Sequence, residues 1–77
     1  MRVQVTLNGH LSWYTESKEK EMTLELPEGV TVGDLIETLG VPPVEVAFAT
    51  VEDERVATDY ALAEGTRVSL APVIAGG

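Results

Sequence analysis

Leu24-Glu25-Leu26-Pro27-Glu28-Gly29-Val30-Thr31-Val32-Gly33-Asp34-Leu35-Ile36-Glu37-Thr38-Leu39-Gly40 decides the fold, because a strand ends and a helix both starts and stops inside it. Met22 to Leu26 alternates apolar and polar residues, the period of a half-buried strand, and Pro27-Glu28-Gly29 ends it. Thr31 is placed to cap a helix, with Asp34 three residues on as its capping-box partner at the positive end of the dipole. Val32, Leu35, Ile36 and Leu39 fall at i, i+3, i+4 and i+7, an apolar stripe that must lie on a sheet. Gly40 supplies a left-handed stop and Pro42-Pro43 forbids continuation. A helix of about two turns does not survive alone in water, so packing must hold it.

Towards the N-terminus, Arg2 to Leu7 alternates with Val3, Val5 and Leu7 on one face, a second half-buried strand. Asn8-Gly9 is turn chemistry, and residues 10–21 read as a solvated loop that closes an antiparallel hairpin. Towards the C-terminus, Val44 to Val51 is apolar on both faces, as expected of a covered strand. Glu52-Asp53-Glu54 turns the chain into a short return strand, Arg55 to Thr58. Asp59 to Ala63 is expected to make one helical turn, and Thr66 to Leu70 a final strand with Val68 and Leu70 inward. Pro72 lacks an N–H, so sheet pairing should fail near it. The order predicts an α+β domain over residues 1–77, a mixed sheet of four to five strands with one main helix packed on one face. With the last strand in the centre of that sheet, residues 72–77 leave as a flexible tail that reaches at most about 20 Å.

Seventy-seven residues, 44% of them hydrophobic and 23% charged, suit one small globular core. There is no cysteine, which removes disulfides, thiolate metal sites and a cysteine nucleophile. Thirteen acidic residues against five basic ones give a net charge of −8, which argues against nucleic-acid and anionic-membrane partners and suits solubility or a basic partner. No leader-like or membrane-spanning run is visible, so a cytoplasmic monomer is the expectation.

The residues offer little for catalysis. His10 is the only histidine, with no second ligand for zinc and no serine at a meaningful spacing, and reads as a loop residue. Asp53 and Glu54 read as solvated acids rather than a cation site. Trp13 and Tyr14 either anchor a partner or, the favoured reading, pack over the sheet edge. No phosphate-binding glycine loop occurs. The unusual feature is the uncharged run Leu70 to Ala75 leading into Gly76-Gly77, since termini of small domains are ordinarily polar and frayed. Glycine without Cβ enters narrow channels. An α-carboxyl is ionised and a poor electrophile at neutral pH, so an acyl-carrying Gly77 would need activation, and the ATP machinery would belong to a partner.

In Leu24 to Leu35, in Leu62 with Glu64-Gly65 and Val68, and in Pro72-Val73-Ile74-Ala75-Gly76-Gly77 the chain resembles the MoaD/ThiS family of ubiquitin-like sulfur carriers. The resemblance runs from about residue 22 to the end and implies a β-grasp fold. It implies that a ubiquitin-activating-type adenylyltransferase uses ATP to adenylate Gly77, which then becomes a thiocarboxylate. Gly76, Ala75, Ile74, Val73 and Pro72 would form the slender lead into a downstream synthase, either the large subunit of molybdopterin synthase or a thiazole synthase. The carrier would be a co-substrate rather than an enzyme, with no bound cofactor or metal. Ala71-Pro72-Val73 stand where the molybdopterin branch has an aromatic and two prolines, and a helix after the first strand is not evident in His10 to Lys20. The long 8–21 segment and compact 56–65 segment still favour molybdopterin or tungstopterin synthesis. The thiamine branch and a protein modifier conjugated through Gly77 are the alternatives.

Overall fold

The structure is a computed structural model, and it describes residues 1–74. Five strands form one sheet: β1 (Arg2–Leu7), β2 (Glu21–Glu25), β3 (Val46–Val51), β4 (Glu54–Val56) and β5 (Arg67–Pro72). They lie in the order β2-β1-β5-β3-β4. β1 pairs antiparallel with β2 and parallel with β5, and β3 pairs antiparallel with both β5 and β4. The helix α1 (Val32–Leu39) packs its Val32, Leu35 and Ile36 stripe against Val3, Val5, Leu7, Val68 and Leu70, all buried. This is the mixed-sheet, single-helix architecture expected from the sequence.

The helix boundaries follow the side-chain chemistry. Thr31 Oγ1 accepts from the Asp34 amide at 3.2 Å while the Thr31 amide donates to Asp34 Oδ2 at 3.0 Å, a reciprocal capping box. Gly40 closes α1 at φ 79°, where a Cβ is costly. No helix among the described residues is long and apolar enough to cross a membrane.

Four local expectations are corrected. Residues 10–21 are not wholly loop: Gly9–Tyr14 is a 3-10 helix, and its Leu11 is fully buried in the core. An isolated apolar residue carries no period, which is why the sequence hid this peg. Val44 is excluded from β3 because Pro43–Glu45 forms a second 3-10 turn. β3 is then covered on one face only, with Ala49 and Val51 buried and Phe48 left on the open face beneath Arg55, whose guanidinium lies 4.3 Å from the ring centroid. Asp59 to Ala63 forms no helical turn: Asp59 lies in a turn and Ala61 makes an isolated antiparallel bridge with Thr31. The backbone here serves α1 instead: the carbonyls of Tyr60 and of the preceding Thr58 accept from the Val32 and Gly33 amides, which no carbonyl within the helix reaches.

Candidate functional site

The chain emerges from the middle of the sheet. β1 runs parallel to β5, so the segment following β1 lies at the end where β5 finishes. β3 runs antiparallel, so the segment preceding it lies there too. The two 3-10 helices therefore flank Pro72 and Val73, one on each side.

On the β1 side Gly9 adopts φ +59°, and a Cβ added there would stand 2.6 Å from Pro72 Cγ. Asn8 holds this approach in place: its amide nitrogen Nδ2 donates to the Ser69 hydroxyl at 2.7 Å and to the Leu70 carbonyl at 3.0 Å. On the β3 side the Val73 amide donates to the Glu45 carbonyl at 2.9 Å. Sheet pairing ends at Pro72, the last residue of β5, opposite Val46, as expected, and the Val73 bond to the 3-10 turn ties the backbone one residue further. Ile74 follows with 80% of its surface exposed.

Glu45 joins the two sides into a collar. Its carboxylate accepts from the Tyr14 hydroxyl at 3.4 Å and lies 3.5 Å from His10 Nε2. Partial burial, then the charge and hydrogen bond of Glu45, push the Tyr14 phenol above its ordinary value. His10 sits edge-on to both Trp13 and Tyr14, with ring centroids 6.2 and 5.9 Å away. Trp13 is 71% exposed, so the expectation that the two aromatics pack over the sheet edge is not met. Tyr14 does touch the collar, whereas Trp13 projects from it.

Of the residues assigned to the tail, Pro72 and Val73 are clamped and Ile74 is the first beyond the clamp. Ala75, Gly76 and Gly77 lie outside the described residues. The sequence pattern gave no sign of Gly9 and Glu45 as parts of this site, and marked Tyr14 as a candidate partner anchor without placing it beside Pro72. The Asn8-Gly9 pair was the available signal, but it read as a hairpin turn rather than as a seat for Pro72. Among the described residues no group of three or more His, Asp or Glu side chains is gathered as a metal site. Arg67 at the start of β5 and Glu52 in the β3–β4 turn meet at 3.6 Å, an exposed pair of little energetic weight.

A family model described as Mut7-C ubiquitin matches residues 1–76. No curated protein matches the chain by sequence. Among solved structures, SAMP1 from Haloferax volcanii superposes with a TM-score of 0.74 at 18% identity, covering 100% of both chains. A putative molybdopterin converting factor subunit 1 from Pyrococcus furiosus gives 0.73 at 24% identity, over 96% of this chain and 99% of that one. The complex of subunits 1 and 2 of molybdopterin-converting factor from Helicobacter pylori contributes a match of 0.65 at 20% identity, over 100% of both chains. At these identities the likeness is one of fold, and it bears out the ubiquitin-like β-grasp.

Proposed function

The chain belongs to the Mut7-C ubiquitin family, and from that premise we propose that it is a ubiquitin-like sulfur carrier working through a free carboxyl at Gly77. The observation that carries the reading is the clamp at Pro72 and Val73, with Ile74 exposed directly beyond it. A rigid exit followed by a slender lead is what a partner needs in order to draw a terminus into its own active site.

Activation would proceed on the partner, a ubiquitin-activating-type adenylyltransferase. A carboxylate oxygen of Gly77 attacks the α-phosphorus of ATP and pyrophosphate leaves. A sulfide-equivalent nucleophile then attacks the acyl carbon and AMP leaves, giving the thiocarboxylate. The chain supplies no acid, base or metal to these steps and acts as co-substrate, not catalyst. Gly76 and Gly77, without Cβ atoms, suit the narrow approach such chemistry needs. The sulfur then passes to a synthase, with molybdopterin or tungstopterin synthesis the preferred pathway. The fold likeness to subunit 1 of molybdopterin-converting factor in complex with its subunit 2 supports a large-subunit partner of that kind. A second reading, conjugation to lysines of other proteins, is favoured by the likeness to the small archaeal modifier protein of Haloferax volcanii.

Intact-mass analysis after incubation with the activating enzyme, ATP and a sulfur donor tests the proposal. A gain equal to exchange of one oxygen for sulfur is the expected result. An unmodified chain, under conditions that charge a control carrier, overturns it. A ladder of conjugates on a denaturing gel, with no thiocarboxylate, selects the modifier instead.

A further inference from the structure

Trp13 is the largest side chain left in water, and its presentation is ordered rather than incidental. Leu11 pegs the 3-10 helix into the core with no exposed surface. Thr15 ties the helix end back, its amide and hydroxyl both donating to the Ser12 carbonyl at 3.2 and 2.9 Å. Lys18 Nζ donates to the carbonyl of Trp13 itself at 3.2 Å. His10 stands edge-on to the indole. An aromatic with two side-chain torsions, held on a fixed backbone and exposed, loses little freedom when another surface covers it.

The ring also sits at a telling distance from the chemistry. Among the described residues the last backbone tether is at Val73, and residues 74–77 can span at most about 14 Å. Any active site that reacts at Gly77 must therefore bring its own surface close to the collar. The collar carries Trp13 and Tyr14, with Val44 79% exposed beside Glu45 and Val73 half-exposed. Glu45 is the anion at its centre, in a chain of net charge −8.

Resting on the carrier reading above, we propose that the Trp13 collar is the docking pad for the adenylating partner. The occupant is the rim of that enzyme's tail entrance: an apolar shelf that takes the indole, with a cationic side chain facing Glu45. Docking here delivers the tail in register, so Trp13 acts in binding and not in the chemical step.

ATP–pyrophosphate exchange tests this, using a ubiquitin-activating-type adenylyltransferase and the full chain, Trp13→Ala, Trp13→Phe, Glu45→Gln and a chain lacking Gly76-Gly77. Trp13→Ala should raise KM for the chain by about tenfold or more with kcat retained, as loss of a central aromatic anchor does. Trp13→Phe should recover part of that loss. Glu45→Gln, which still accepts from Tyr14, should flatten the rise of KM with salt. The truncated chain should drive no exchange. Wild-type exchange with an unchanged KM for Trp13→Ala, or a fall in kcat alone, overturns the pad and leaves the carrier reading standing. Absence of exchange with the wild-type chain overturns both. Since Trp13 is exposed, its replacement should leave the melting temperature unchanged, which separates docking from folding.

Discussion

Gly9 is where a single missing methyl decides the geometry of the exit. At φ +59° an L side chain is strained by about 1–2 kcal/mol, and a Cβ would also collide with Pro72. Gly29 makes the natural comparison, with φ +85° and open space around it. Gly29→Ala should therefore cost only the backbone strain. Gly9→Ala should cost a further ~1–3 kcal/mol from overpacking, read as a larger fall in melting temperature, unless β5 yields at its end. Equal losses in the two variants would show that Pro72 is not seated on Gly9.

Tyr14 reports on the same collar. Its phenol is raised by desolvation and by Glu45, so the folded state holds that proton more tightly than the unfolded chain does. The sign follows from linkage: this contribution to stability is complete below the unfolded value of 10.0 and is lost as pH climbs through the higher folded value. The phenolate absorbance difference between wild type and Tyr14→Phe should titrate above that value. In Glu45→Gln it should move only part of the way back, because desolvation is the larger cause. An unmoved titration in that variant would remove Glu45 from the collar.

At the scale of elements, α1 was legible because its signals are local and redundant. Thr31, Asp34, the apolar stripe and Gly40 all point to one helix, and the capping box forms as read. Thr31→Ala should lower stability by about 1 kcal/mol, checked by denaturant unfolding, while Thr31→Ser should retain most of it. The 3-10 helix at Gly9–Tyr14 was not legible, since one buried leucine between His10 and Ser12 makes no period. Leu11→Ala should cost ~2–5 kcal/mol, a large share of the about 5–15 kcal/mol that holds a small domain together. A loss below about 1 kcal/mol would mean that this segment is not part of the core.

Asp59 to Ala63 misled for the opposite reason. Its composition tolerates a helix, but the Tyr60 carbonyl and that of the preceding Thr58 are claimed by the first amides of α1, a tertiary demand invisible to a local window. Val44 to Val51 misled because apolar character on both faces was read as burial. Val44 and Phe48 instead stand on exposed surface.

For the whole molecule, the sequence pointed to a C-terminal segment but not to what surrounds its beginning. Gly76-Gly77 is visible as text, whereas the collar exists only once β1, β3 and β5 lie side by side and bring residues 9–14 and 43–45 together. Under the proposed function the labour is divided: the domain would fix an exit and a partner would perform the reaction. On the proposed function, removing Gly76-Gly77 should abolish ATP-dependent modification while leaving the unfolding transition unchanged, the buried core of the described residues running from Val3 to Leu70. The most direct measurement localises the acquired mass. Cleavage after Arg67 of protein treated with its activating enzyme, ATP and a sulfur donor releases the Val68–Gly77 peptide for fragmentation. The account predicts a single oxygen-to-sulfur gain confined to fragments that contain Gly77. A gain borne by any other residue, or an unaltered peptide in a reaction that charges a control carrier, would contradict it.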